Sequence, residues 1–552
     1  MCKYSLGIDF GSLSARAVLV NVSNGSPVSE YICEYTHGII EGSWLGKKLP
    51  DELFLQIPQD YIQALSACVS GVIKNSHTDP RNIICMGVDS TSATIIPCQE
   101  DGAPLCSRPE FTDSPFAQAL MWKSHSTQKE VEDILSSAER NHEVFMEYSG
   151  KTIPSNTGIP KLLHLVRNAP DVYEATSRYY DLCDWIVRLL TDVDSMNTAS
   201  AGGKFLWTPE TGWPSNDFFA DLDERMRYIA RDKLPGKVLR INQSAGTVTE
   251  AGAKLTGLAA GTPVVTGLPD GISPLAAAGI SSAEKLMLVI GTSASGFVLN
   301  KNRASVKGLY GMLSNSPYED YYTYETGLQS FGDTLAWFLE NCCPSSIKEC
   351  CQSSGEVFDL LSRKAELLTP GESGLLAMNW WNGNRSILVD GSLTGVIMGM
   401  TLATRPEEIY RALVEGMAFN FRMIKDEFHK NGIFVKETIA VGGIPMKNPF
   451  IMQLIADIMG GRILVPRSVH MPALGSAIFA TWAVGSERDG YNTIEESVEH
   501  MSVKDYDEYF PNLQNTEKYE GLYQLYVEMC EYLGENVESP IKKLHALKTV
   551  GQ

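Results

Sequence analysis

Apolar residues alternate with small or polar ones at two places about half a chain apart. Ser5-Leu6-Gly7-Ile8-Asp9-Phe10 runs into Gly11-Ser12-Leu13-Ser14, and a second β-rich run, Ala15-Arg16-Ala17-Val18-Leu19-Val20, follows. Two such runs around a small-residue turn predict a β-hairpin. Leu286-Met287-Leu288-Val289-Ile290, the turn Gly291-Thr292-Ser293 and Ala294-Ser295-Gly296-Phe297-Val298-Leu299 repeat the pattern. The second copy stands where a second domain should begin. The repetition therefore predicts a duplicated domain, divided into residues 1–280 and 281–552. Asp9 has no counterpart in the second copy, because Gly291 follows Ile290 directly.

Between these hairpins the period changes. Tyr61, Leu65, Val69 and Val72 fall on one face of a helix opened by Pro58, and Ile409, Leu413, Met417 and Phe421 on one face of a helix over 406–430. Short apolar runs at 82–88, 95–98, 263–267, 438–441 and 463–465 predict buried strands. A third strand is expected over 30–38 and an irregular loop over 39–57. The stretch 115–195 reads as mostly helical, with Asp181-Leu182-Cys183-Asp184-Trp185-Ile186 its clearest part. Residues 196–245, rich in Gly, Trp, Pro and Asn, read as irregular and exposed. Helices follow from Asn448-Pro449 and from the small-residue run Ala473-Leu474-Gly475-Ser476-Ala477, which suits close packing. A final helix over about 515–535 reads as a peripheral cap. Strands followed by alternating helices and strands place the chain in the α/β class.

Composition narrows this. A chain of 552 residues exceeds one core. With 44% hydrophobic and 20% charged residues it is globular rather than disordered. A formal net charge of −20 repels nucleic acid and anionic membranes, which excludes both as expected partners. No run approaches the ~18 apolar residues of a membrane span, and Met1-Cys2-Lys3-Tyr4 leads into a strand without a signal-peptide core. The expectation is a cytoplasmic protein whose 12 cysteines are reduced thiols. Cys342-Cys343 and Cys350-Cys351 lack zinc-site spacing.

The opening turn gathers a carboxylate, hydroxyls, bare N–H groups and Arg16. Such a turn either cradles phosphate beside a Mg²⁺-binding Asp9 or is an ordinary hairpin turn. No G-x-x-x-x-G-K-[ST] exists, and Gly291 to Gly296 has Phe297 where that motif needs Lys. Gly442-Gly443 is either a plain strand-to-helix turn or a place where a base approaches the backbone. Asp270, in Pro269-Asp270-Gly271, is either a turn residue or a general base.

Several motifs together resemble one family. They are Asp9-Phe10-Gly11-Ser12 with Arg16, Gly87-Val88-Asp89-Ser90-Thr91, Arg108-Pro109-Glu110, Trp122-Lys123-Ser124-His125 and Ala201-Gly202-Gly203-Lys204. Gly291-Thr292-Ser293, Asn379-Trp380-Trp381-Asn382-Gly383-Asn384-Arg385, Gly442-Gly443 and Lys447-Asn448 complete the set, and residues 402–480 are similar almost throughout. The chain resembles the FGGY carbohydrate kinases, most closely their ribulokinase group, over essentially its whole length. The resemblance implies two duplicated actin-like ATPase (ribonuclease H-like) domains with an active-site cleft between them. It implies sugar binding and a catalytic Asp in the first domain and ATP binding in the second.

Residue by residue, it implies Asp270 as catalytic base and Ser92, Lys204, Asp270 and Glu325 as sugar contacts. Gly11, Ser12, Ser14, Arg16, Gly291, Thr292, Ser293, Gly442, Gly443, Lys447 and Asn448 are implied at ATP, and Asp9 and Asp270 at Mg²⁺. Trp122 and His125 are open between pocket lining and core. Related kinases are often dimers, and the sequence does not decide an oligomeric state.

The departures gather on the sugar side. Gly271-Ile272 follow the catalytic Asp where a small residue and His are usual. Leu328 displaces Gln329 by one, Ser155-Asn156-Thr157-Gly158 replaces a Ser-Glu-Trp element, and Ala294-Ser295 replaces Thr-Cys. The expected activity is transfer of the γ-phosphate of MgATP to a terminal hydroxyl of a ketopentose. The acceptor is L-ribulose or, on these departures, another ketose or polyol such as xylulose, D-ribulose or ribitol. A non-catalytic sugar-binding relative is the remaining alternative.

Overall fold

The computed structural model describes residues 2–149, 152–309, 311–536 and 538–550. It divides into two compact units. The first comprises Met1–Ser281, Met312–Thr323 and His470–Val503; the second comprises Ser282–Gly311, Tyr324–Val469 and Lys504–Gln552. Among the described residues no helix is long and apolar enough to cross a membrane. All twelve cysteines are free thiols.

In the first unit β1 (Tyr4–Phe10), β2 (Ser14–Asn21) and β3 (Pro27–Glu34) form an antiparallel meander. The third strand thus starts and ends earlier than its sequence pattern suggests, because its residues pair with β2 although most are exposed. The strand Ile83–Ser90 returns parallel to β1, reached through the helix α1 (Pro58–Ser76). Pro263–Val265 and Leu268–Pro269 then lie parallel to Ile83–Ser90. A parallel return needs such a crossover, which is why the sheet alternates with helices.

Period two divides β1 between two layers. Leu6, Ile8 and Phe10 enter a core with Tyr61, Leu65, Val69 and Val72 of α1. Ser5, Gly7 and Asp9 take the opposite face. There the helix Met471–Val484 lies directly on the sheet: a Cβ on Gly7 would stand 1.7 Å from the Ala473 carbonyl oxygen, and one on Gly87 2.0 Å from that of Ser476. Gly7 and Gly87 are register partners, so together they make the groove that receives this small-residue helix. The Ser5 hydroxyl donates to the Ala477 carbonyl at 2.8 Å across the same contact.

A second apolar cluster fills the rest of this unit. Phe205, Phe218, Phe219 and Met226 are fully buried in it, and Thr198–Phe205 and Asn216–Leu222 are helices. Residues 196–245 are therefore not an exposed irregular segment. Their aromatic side chains anchor short helices that the Gly and Pro content conceals.

The second unit repeats the topology. Lys285–Ile290 and Ala294–Asn300 form the hairpin, Glu437–Val441 lies parallel to the first of them, and Ile463–Pro466 parallel to that. With Tyr322–Leu328 beyond the hairpin, the five-strand order matches that of the first unit, where β3, β2, β1, Ile83–Ser90 and Pro263–Val265 are neighbours. The duplication expected from the two hairpins is real, and the α/β class holds.

The helix Pro406–Lys430 is buried all round from Tyr410 to Phe421, rather than on a single stripe. Pro449–Met459, Ser354–Glu366 and Leu376–Met378 pack on it, and Leu513–Met529 covers a further face, its Tyr519, Tyr523 and Tyr526 buried against Phe419. That helix is therefore no peripheral cap, nor the last one: Pro540–Val550 is helical as well.

Candidate active site

Three carboxylates collect at the ends of the first unit's parallel strands. Asp9 and Asp89 are register partners on β1 and Ile83–Ser90. Asp270 follows Leu268–Pro269, which pairs with Asp89 and Ser90, and its N–H donates to the Ser90 carbonyl at 2.8 Å. Asp89 is fully buried. Its Oδ2 accepts from the Ser476 hydroxyl at 2.5 Å, and its Oδ1 has no partner among the described residues. Arg16 lies opposite Asp9 in the hairpin and reaches Asp9 Oδ2 at 3.3 Å.

Burial dominates the electrostatics. It holds the Asp9 carboxyl above the usual range against the pull of Arg16. It pushes Asp89 well above that range, with Asp9 adding to the push. Asp270, half-buried, is raised to about 7, first by desolvation and then by Asp9, while Lys204 pulls it down. The three carboxylates do not close into a three-ligand cage; a hard divalent cation held by Asp9 and Asp270 would relieve desolvation and mutual repulsion. Asp89 was not among the site residues assigned from the sequence. Its signals were an acidic residue inside an otherwise apolar strand and its place in the motif Gly87-Val88-Asp89-Ser90-Thr91.

The opening turn is closed by Gly11 N–H donating to the Ser14 carbonyl at 3.0 Å. Ser12 is half-exposed; its hydroxyl accepts from the Trp122 indole at 3.1 Å and its carbonyl from the Gln56 amide at 2.8 Å. Ser14 is buried at the start of β2. Trp122 is thus a half-buried residue tied to the turn, and His125 lies near it, its Nδ1 3.5 Å from the Ser155 hydroxyl.

Ser92 stands in the loop that leaves Ile83–Ser90, and Lys204 on the helix Thr198–Phe205. Lys204 lies within charge reach of both Asp270 and the buried Asp181. The first unit thus brings Asp9, Asp270 and Lys204 into one electrostatic neighbourhood, with Ser92 on the segment next to Asp270.

The corresponding turn of the second unit carries no acid. Gly291 N–H donates to the Ser293 carbonyl at 2.9 Å, and the Gly291 and Thr292 carbonyls accept from the N–H groups of Gly332 and Asp333 at 3.0 and 3.2 Å. Gly442 has φ 112°, and a Cβ there would lie 2.5 Å from the Ile290 carbonyl oxygen, so the fold itself demands glycine. A Cβ on Gly291 or Gly443 would meet nothing within 4 Å. These two positions leave space that packing does not use. Lys447 is exposed. Asn448 caps the helix Pro449–Met459: its Oδ1 accepts from Ile451 N–H at 3.1 Å and its Nδ2 donates to the Ser362 hydroxyl at 2.9 Å. Glu325 pairs with Arg385 at 2.6 Å, and Arg385 also donates to the Ser295 hydroxyl at 3.3 Å. Arg385 belonged to a recognised motif but had been assigned no role.

The FGGY family of carbohydrate kinases matches the chain twice, its N-terminal domain over residues 4–277 and its C-terminal domain over 286–484. A ribulokinase of Bacillus licheniformis is 40% identical over 544 residues, covering 98% of each chain. One of Halalkalibacterium halodurans is 39% identical, covering 99% of this chain and 98% of its own. Among solved structures, a xylulose kinase from Lactobacillus acidophilus superposes with a TM-score of 0.77 at 18% identity, over 96% of this chain and 98% of its own. Glycerol kinase from Plasmodium falciparum gives 0.74 at 18% identity over 96% and 98%. At that identity the two structures speak for the fold alone.

Proposed function

Since the chain belongs to the FGGY family of carbohydrate kinases, and so is an ATP-dependent sugar kinase, we propose that it phosphorylates L-ribulose to L-ribulose 5-phosphate in the cytoplasm. The observation that carries the chemistry is Asp270: a half-buried carboxylate raised to about 7 beside Asp9 and Lys204. A base poised near neutral pH takes the proton of the terminal hydroxyl as its oxygen attacks the γ-phosphorus. Lys204 tempers the rise at Asp270 and, with Ser92 and Glu325, orients the ketose through hydrogen bonds. Phosphoryl transfer depends mainly on positioning and charge neutralisation. Asp9 and Asp270 would hold Mg²⁺, which neutralises phosphate charge when bound. Gly11, Ser12, Ser14 and Arg16 serve the phosphates. Gly291, Thr292, Ser293, Gly442, Gly443, Lys447 and Asn448 serve the nucleotide from the second unit.

The choice of L-ribulose rests on relatives bearing the name ribulokinase at 36–40% identity. ADP release from purified protein over a panel of ketoses and polyols tests the reading. L-Ribulose should have the highest kcat/KM; a better xylulose, D-ribulose or ribitol would move the acceptor, and binding without turnover would remove the activity.

A further inference from the structure

Two buried groups of opposite charge fasten segments of the acceptor side. Lys161, on the helix Gly158–Asn168, is 3% exposed, and its Nζ donates to the Ala93 carbonyl at 2.7 Å and the Met121 carbonyl at 2.8 Å. Asp181 is fully buried and accepts from Leu182 N–H at 3.1 Å and from the Ser200 hydroxyl at 2.7 Å. Ala93 thus has its carbonyl on the Lys161 amine. It needs such anchoring, because it sits at φ 61°, the left-handed region that a non-glycine residue adopts only at a cost.

The rest of the loop is tied just as firmly. Thr91 N–H donates to the Phe10 carbonyl, the Thr91 and Thr94 hydroxyls bond each other at 3.1 Å, and Trp122 N–H donates to the Thr94 hydroxyl. Thr91, Ala93 and Thr94 are buried, and Ser92 alone of the four is not. The loop presents one side chain.

Each group reaches a segment of the acceptor side. Asp181, through Ser200, holds the helix that carries Lys204. Lys161, through Met121 as well as Ala93, holds the backbone next to Trp122, whose indole bonds Ser12. A buried amine and a buried carboxylate are costly to desolvate, and apolar side chains would serve packing alone at less cost. We propose that Lys161 and Asp181 are positioning residues for acceptor specificity: Lys161 clamps Ala93 and Asp181 holds the helix of Lys204, so that Ser92 and Lys204 keep the spacing that selects among ketoses.

This rests on the reading of Ser92 and Lys204 as sugar contacts, and the test separates the two. Steady-state kinetics are compared for the wild-type chain, Lys161→Met, Lys161→Gln and Ser92→Ala, each against L-ribulose, D-ribulose and xylulose. The clamp predicts that Lys161→Met raises KM for L-ribulose about tenfold or more, while KM for MgATP stays within about twofold. It further predicts that preference among the ketoses flattens, and that adding Ser92→Ala to Lys161→Met costs far less than Ser92→Ala alone. Should Lys161→Met fail to fold, Lys161→Gln, which keeps an amide donor, carries the same comparison with a smaller rise. A folded variant with wild-type ketose KM, or with both KM values raised alike, overturns the clamp and leaves the kinase reading standing. A wild-type preference that Ser92→Ala leaves unaltered overturns the sugar-contact reading and the clamp with it.

Discussion

The hairpin turn at Gly11–Ser14 and its counterpart at Gly291–Ser293 occupy equivalent places in two sheets of the same strand order. Their chemistry is opposite. The first is backed by Asp9, Asp89 and Asp270, all held above the usual carboxylate range by burial. The second presents backbone and hydroxyls, with open space above Gly291 and Gly443. Strand order is maintained by long apolar runs and glycine contacts, which tolerate change at the strand tips. A duplicated fold can therefore keep its frame while one copy gathers acids at its strand tips and the other gathers none in its turn.

The largest expected effect breaks the acidic half. Asp270→Asn should lower kcat by about 10²–10⁴-fold while ATP binding by calorimetry stays near wild type. Asp9→Asn should lower kcat/KM by about a hundredfold and raise the Mg²⁺ concentration needed for half-maximal rate, whereas Thr292→Ala, in the turn without an acid, should raise KM for ATP and leave that Mg²⁺ requirement unaltered.

Two neighbouring glycines sharpen the contrast between fold and ligand. Gly443→Ala should leave the melting temperature unaltered and raise KM for ATP by about tenfold. Gly442→Ala, at φ 112° against Ile290, should cost about 1–3 kcal/mol in a denaturant melt.

The smallest effect is the pH slope. Asp270 is raised to about 7 from 3.8, so folding favours its protonated form. Its contribution to stability is fully present below its ordinary value and is lost as pH rises through about 7. Metal-free protein should lose stability over that window, and Asp270→Asn should flatten the slope. Acceptor kcat/KM should move the other way, rising as the base ionises.

Much was legible in the residues because it is local. Alternation marks a strand wherever it occurs, and its recurrence at 286–299 exposed the duplication. The small-residue run Ala473 to Ala477 announced a close contact, though not that Gly7 and Gly87 receive it. The misreadings share one cause. Gly and Pro in 196–245 suggested an open loop, but Phe205, Phe218 and Phe219 find a core supplied by segments far away in sequence. Leu513–Met529 looked peripheral until its tyrosines met Phe419.

The sequence by itself determined the α/β class and the repeated hairpin, which follow from short-range pattern, and, through the resemblance its motifs carry, the family and the candidacy of Asp9, Lys204 and Asp270. Tertiary structure alone decided that Asp89 joins them, that Arg385 meets Glu325, that Asn448 is spent on a helix cap, that Lys161 closes on Ala93 and that Asp181 holds Ser200. Register between strands and the burial of a charge depend on partners tens to hundreds of residues away. A carboxylate or ammonium takes its chemical meaning from those partners rather than from its neighbours in the chain.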